Sequence, residues 1–195
     1  LAELKSYKFS DRMINQFFRP FFGGVFLDRD LVTSSRMFNF VFQMFSKGAV
    51  TLPSEGIGQI AQQLAAGLPR DRIRFGCCVK KIGENSVQLE DGSEISSRAI
   101  VLATGGEATA RLLDRPFGNH QRRRVVCMYF KAPKPPFHEP CLVLNGEGRG
   151  PVNNLCVPSL VSPRYAPPGQ HLISASILEG CIEDDLESKV IEQMH

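Results

Sequence analysis

Gly56-x-Gly58-x-x-Ala61 has the spacing of a turn that holds a dinucleotide pyrophosphate. In such a turn the first glycine makes the bend, the second lets the backbone approach the phosphates, and the small third residue packs the helix closely. Three features speak against that use here. Pro53, Ser54 and Glu55 separate the glycines from the nearest candidate strand. Glu55 places a negative charge at the helix start, where it suits the helix dipole but competes with a phosphate. The following strand closes in Cys77-Cys78-Val79-Lys80-Lys81, without the carboxylate that a ribose site carries about 20 residues past its glycines. A glycine-containing helix start packed closely on a sheet is the other reading. NAD binding through Gly56–Ala61 stays open as an alternative.

The remaining reactive side chains form no catalytic signature. The histidines are His120, His138, His171 and His195, and none stands in a nucleophile motif. G-x-S-x-G is absent, so a hydrolase triad is not indicated. Close carboxylates occur as Asp28/Asp30 and Asp184/Asp185, both in settings that read as solvated. The six cysteines, at 77, 78, 127, 141, 156 and 181, show no C-x-x-C spacing and no nearby His pattern, so no metal site is expected. Cys127, Cys141 and Cys156 fall in apolar runs and read as small buried hydrophobes. Reduced thiols and an intracellular location are the expectation. No catalytic residue can be named.

The chain has 195 residues, 43 % of them hydrophobic, enough for one or two compact domains. A formal charge of +3 does not imply a nucleic-acid partner. Arg122-Arg123-Arg124 is the only basic cluster and reads as a solvated strand edge. No uninterrupted apolar run reaches the about 18 residues of a spanning helix. Oligomeric state is not legible.

Around these residues the elements follow in order. Residues 10 to 47 read as helical: Ser10 can cap a first helix through Phe18, Arg19-Pro20 interrupts or opens a second, and Ser34 or Ser35 can cap a third ending at Lys47-Gly48. Met37, Phe38, Phe40, Val41, Phe42, Met44 and Phe45 make that third helix apolar nearly all round, so it is buried on most sides or lines an apolar cavity. Residues 54 to 68 form a helix and 72 to 82 a strand with Ile73, Phe75, Cys77 and Val79 on one face. Val87 and Leu89, a hairpin turn at Asp91-Gly92-Ser93 and Ile95 follow. Ala99 to Ala103 is a continuous apolar run, as in a strand covered on both faces. Thr104, Gly105 and Gly106 come after it, where α/β sheets bind ligands and where glycine permits close approach, and are candidate cofactor contacts. A short helix over 107 to 114 leads to strands at 124 to 131, 141 to 145, 153 to 158 and 171 to 178, divided by Pro- and Gly-rich turns, which predict an antiparallel sheet. A helix over 182 to 194 carries Glu183, Asp184 and Asp185 in its first turn.

The order Pro53-x-x-Gly56-x-Gly58-x-Ile60, Leu64-Ala65-Ala66-Gly67-Leu68, Val79-x-x-Ile82, Asp91-Gly92, Ala99 to Thr104 and Arg111-Leu112-Leu113 resembles the middle of the flavin-containing amine oxidoreductases. That superfamily includes amine oxidases, protoporphyrinogen oxidase and phytoene-desaturase-like enzymes. Arg19-Pro20-Phe21-Phe22-Gly23-Gly24-Val25-Phe26 is similar to an element of their substrate-domain helices. The resemblance is clear over about residues 15 to 115.

It implies an α/β, two-part (α+β) fold: part of an FAD-binding α/β domain at 51-106, with a substrate domain built from helices at 1-50 and an antiparallel sheet and helix at 107-195. It implies FAD as cofactor, met by the backbone of Val79 at the adenine, and a small-molecule substrate that is apolar at least in part, or amine-like. The opening GxGxxG turn and the closing Gly-Asp segment of the superfamily are absent. The chain is therefore expected to be an internal fragment of a longer oxidoreductase, and alone to bind flavin weakly and be inactive. A non-catalytic binding or scaffold remnant of the same fold is the alternative.

Overall fold

A computed structural model describes residues 1–116, 123–181 and 184–194. His120, Arg122, Glu183 and His195 lie outside the described residues. The chain divides into two units, Leu1–Ala61 with Arg123–His195, and Gln62–Arg122.

The first unit opens with helices α1 (Ala2–Ser6), α2 (Asp11–Met13) and α3 (Arg19–Phe26). Ser10 caps α2, its hydroxyl accepting from the Met13 N–H at 3.2 Å. Between α2 and α3 the chain does not break at Arg19-Pro20. It widens into a π-turn over Ile14–Phe18, in which the Arg19 N–H bonds to the Ile14 carbonyl. The cause is Pro20, which has no N–H to offer the Gln16 carbonyl four residues back. Gly146 comes against that freed carbonyl, and a side chain there would put its Cβ 3.0 Å from the Gln16 oxygen.

Leu4, Ile14, Phe18, Phe22 and Leu31 form the buried helical core. Helix α4 (Ser35–Lys47), capped by Ser34, lays Phe38 and Val41 on it, and Phe38 meets Phe22 at 4.8 Å between ring centroids. Phe40, Phe42, Met44 and Phe45 remain exposed.

Asp28 corrects the expectation of a solvated carboxylate, while Arg123 is exposed as expected but is tied by its guanidinium to Asp28. Asp28 is 7 % exposed. Its Oδ2 accepts from the Thr33 N–H and hydroxyl at 2.8 and 2.7 Å, and lies 3.3 Å from the Arg123 guanidinium. Arg123 also donates to the Phe26 carbonyl, so it fastens the turn after α3 rather than lying on a free strand edge.

The sheet of this unit contains β4 (Val125–Ala132), β5 (Leu142–Leu144), β6 (Val152–Cys156) and β7 (His171–Leu178), antiparallel in the order β4-β7-β6-β5. Met128 faces Ala175 and Phe130 faces Ile173 across β4 and β7. These residues share a face with Ile177 and Val152, and that face is covered by α8 (Leu186–Met194) through Val190. Helix α8 begins four residues later than expected, because Asp185 has φ +61° and so stands outside the helix, its carboxylate accepting from the Ser188 hydroxyl at 2.8 Å. A short helix α7 (Pro158–Val161) packs on β7.

Division between the units falls within α5 (Gly58–Ala66). The second unit carries a three-stranded antiparallel sheet, β1 (Val79–Ile82), β2 (Ser86–Leu89) and β3 (Glu94–Ser96), in that order. The β2–β3 hairpin turns at Asp91-Gly92, where the Asp91 carboxylate accepts from the Ser93 N–H at 2.8 Å. Two sequence expectations fail here. Residues 73–78 are not strand, and neither are 99–103. Val101, expected to be covered on both faces, and Phe75, expected on one strand face with Ile73, Cys77 and Val79, are each 88 % exposed. Their apolar runs have no neighbouring strand among the described residues, and a strand exists only with a ladder partner. Helix α6 (Gly106–Leu112) closes the unit against β1.

Candidate functional site

β1 is the edge strand of its sheet among the described residues. The Glu90 N–H donates to the Cys78 carbonyl at 2.9 Å, while Val79 is paired with Leu89. That makes Val79–Leu89 a non-hydrogen-bonded pair, so the N–H and C=O of Val79 turn away from β2, to the open edge. A donor and an acceptor side by side on a free strand edge can pair with the edge of a planar heterocycle such as adenine. The Val79 side chain itself is half-buried.

Gly105 is the N-cap of α6, its carbonyl accepting from the Thr109 N–H at 2.9 Å. A Cβ on Gly105 would meet nothing within 4 Å, so the backbone is accessible there. Gly106 is the first residue of α6. The Thr104 hydroxyl is engaged with that of Thr109 at 2.8 Å, which holds the loop to its own helix. Since α6 packs on β1, the fold gathers Val79, Thr104, Gly105 and Gly106 on neighbouring elements of one unit. The Cys78 thiol is raised above its ordinary pKa by its hydrogen bond to Glu90 and by that carboxylate's charge, with Arg111 opposing. A thiol held protonated is a poor nucleophile.

Gly56 and Gly58 behave otherwise than a pyrophosphate turn. Among the described residues no strand precedes them, Glu55 is tied up in an ion pair with Arg164, and added side chains would meet nothing within 4 Å. The open space also removes the expectation of close packing on a sheet. The segment is fastened instead by the Tyr165 hydroxyl donating to the Pro53 carbonyl at 2.8 Å and by the Ser162 hydroxyl donating to the Ser54 carbonyl at 2.9 Å.

Two further surfaces belong to the first unit. A cavity of about 430 Å³ is walled by Phe22, Phe26, Leu31, Val32 and Phe38, with Glu3, Thr33 and Ser34 among its polar lining. Its volume suits a small organic ligand. Phe38 is the one aromatic residue of α4 that reaches it.

The second surface was missed from sequence. On the sheet face opposite α8, Cys127 and Tyr129 of β4 stand across from Ser176 and Ser174 of β7, and Ser174 in turn faces Cys156 of β6. The Cys127 sulfur lies 3.5 Å from the Ser174 hydroxyl. Cys127 and Cys141 are exposed and Cys156 is half-buried, so the reading of all three as buried hydrophobes does not hold. The signal was present in the alternation of Cys127 and Tyr129 with Met128 and Phe130, which assigns the thiol to the face that the core does not use. Tyr129 is raised in pKa by its hydrogen bond to Cys127, then by that group's charge and by burial. Cys156 is raised by burial first. Both therefore stay protonated at neutral pH.

The architecture so assembled, helices with two antiparallel sheets, is the mixed α/β fold of known oxidoreductase structures. An oxidoreductase from Methanosarcina mazei is similar over 100 % of this chain and 50 % of its own, at 19 % identity and a TM-score of 0.77. Reduced UDP-galactopyranose mutase is similar over 96 % of this chain and 49 % of its own, at 15 % identity and a TM-score of 0.64. The chain thus spans about half the length of these structures. None of the curated proteins matches it. The chain belongs to the flavin-containing amine oxidoreductase family, whose profile matches residues 1–194. Among the described residues no helix is long and apolar enough to cross a membrane.

Proposed function

We propose that this chain is the central part of an FAD-dependent oxidoreductase that oxidises a small, partly apolar or amine-like molecule. The observation that supports it most is the free outer edge of β1, where Val79 presents an N–H and a C=O suited to an adenine edge. In this reading 51-106 belongs to the FAD-binding domain, and 1-50 with 107-195 to the substrate domain. The Val79 backbone holds the adenine, and the open backbone at Thr104, Gly105 and Gly106 lies near the cofactor. Bound flavin supplies the hydride acceptor. The chain's own contribution is shape: Phe22, Phe26, Leu31 and Phe38 shield an apolar group from water, and Ser34, whose hydroxyl only accepts from the Arg36 N–H, offers its proton to the polar end. On this reading the chain alone binds flavin weakly.

Val79→Pro in the parent enzyme tests the adenine contact. Proline removes the outward-facing N–H while leaving the Cys78 carbonyl its bond from Glu90, a change that an edge strand tolerates. The expected result is an FAD affinity weakened by about tenfold, the worth of one hydrogen bond. FMN, which has no adenine, should bind the variant and the wild type equally. Unchanged FAD affinity would remove Val79 from the site. A parent protein purified without flavin absorbance near about 450 nm, and taking up none when FAD is added, would favour the scaffold alternative.

A further inference from the structure

We propose that Arg19 and Arg29 form a carboxylate-binding site in the first unit, away from the apolar cavity and independent of the cofactor reading. The two side chains line a small cleft between the start of α3 and the β5–β6 turn, together with Asn145, Asn153 and Cys181. Both arginines are half-buried. Among the described residues neither makes an ion pair. Asp28, one residue before Arg29, is committed to Arg123 and Thr33.

The amide donors of Asn145 and Asn153 and the Gly148 N–H are accounted for, which leaves the guanidinium groups as the charged donors of the cleft. The Asn145 amide gives its hydrogens to the carbonyls of Arg149 and Val152, at 2.7 and 2.6 Å. The Asn153 amide donates to the Pro20 carbonyl at 2.8 Å and to Asn154 Oδ1 at 3.0 Å. The Gly148 N–H is taken by Asn145 Oδ1 at 3.0 Å. Arg19 is oriented by Asn15 Oδ1 at 3.3 Å and by the Arg29 carbonyl. Arg29 is oriented by a contact from its Nη1 to the Cys181 sulfur. A guanidinium has five N–H donors, so among the described residues most of those on both arginines have no acceptor. These are fixed, charged and half-desolvated, and a planar oxyanion satisfies them best. Size decides among oxyanions. The cleft holds about 30 Å³, room for about two water-sized atoms. A carboxylate fits that space better than a tetrahedral phosphate.

The test uses the parent protein with sodium formate, read against sodium chloride at equal ionic strength. Formate should raise the midpoint of thermal unfolding saturably, and chloride should not. Formate should also slow alkylation of Cys181 by iodoacetamide, followed by peptide mass mapping, because the bound anion shields the sulfur and draws Arg29 from it. Arg29→Gln should weaken the formate response by at least about tenfold, and Arg29→Lys, which keeps the charge but not the fork, by less. Arg12→Gln, an exposed control, should change nothing. A chloride response equal to that of formate would overturn the site, as would an undiminished formate response in Arg29→Gln. If Arg29→Gln does not fold, the absence of any Cys181 protection in the wild type would overturn it as well.

Discussion

The two sheets are written in the same sequence language and end in opposite states. In the four-stranded sheet the alternation of β4 and β7 turns one face under α8, where Ala175 and Ile177 of β7 and Val190 of α8 are at 0 % exposure and Val126, Met128 and Phe130 of β4 are half-buried. In the second unit Leu89 is the buried apolar residue of the described set, while Phe75 and Val101 stand in solvent. Both regions carry apolar residues at strand spacing. What differs is the supply of partners. β4 finds β7 along eight registered pairs and α8 behind them. The runs at 73–78 and 99–103 find none among the described residues. Apolar patterning states which side chains need cover, and it is silent on whether the same segment of chain supplies it.

The largest effect that could break this comparison lies in the covered sheet. Ile177→Ala removes a fully buried side chain that pairs with Val126 and Val152 across both neighbouring strands. Denaturant unfolding followed by circular dichroism should show a loss of about 2–5 kcal/mol, the usual cost of such a truncation. A loss below about 1 kcal/mol would mean that this core is as loosely held as the second unit, since surface changes cost no more than that.

Much of this division was legible in the residues. The helix caps Ser10 and Ser34 and the Asp91-Gly92 turn follow from local chemistry, because each is decided by neighbours a few residues away, and the alternation of β4 and β7 marks them as strands although their pairing is long-range. What escaped was decided by distant ones. Asp28 reads as a solvated carboxylate until Arg123, 95 positions on, is brought to it. Asp185 reads as part of a helix until its positive φ ends that option. Of the candidate site, Val79 and Gly105 could be named from sequence, but the outward turn of the Val79 backbone depends on the β1–β2 register. The thiol and hydroxyl row at Cys127, Ser174 and Cys156 depends on three strands pairing, and no one of them carries it.

An intermediate effect concerns the charge that the first unit buries. Burial pushes the Asp28 carboxyl upward, but the Thr33 hydrogen bonds and the Arg123 guanidinium outweigh it and hold the group below its ordinary value. A depressed folded pKa means that the stabilisation is present above the unfolded pKa, about 3.9, and is lost as pH falls through the folded value. Asp28→Asn should cost about 1–3 kcal/mol near neutral pH, given that Arg123 is itself partly solvated. Wild type and variant should converge as the pH is lowered below about 4. Parallel stability curves down to the acid limit would show that Asp28 is not held by charge.

The smallest effect sharpens the comparison most. Phe75→Ser alters a ring that is 88 % exposed, so in this chain stability should change by no more than about 0.5 kcal/mol. On the proposal that the chain is part of a longer enzyme, the same substitution in that enzyme has a different expected outcome. If the parent covers the 73–78 run with further strands, the ring is buried there, and its loss should cost about 3 kcal/mol or more. The difference between the two measurements reports cover that lies outside these 195 residues. Equal and small changes in both would mean that Phe75 is a surface residue in the parent too. The strand pattern at 73–78 would then have no partner to explain it, and the assignment of 51-106 to a larger nucleotide-binding sheet would lose its support.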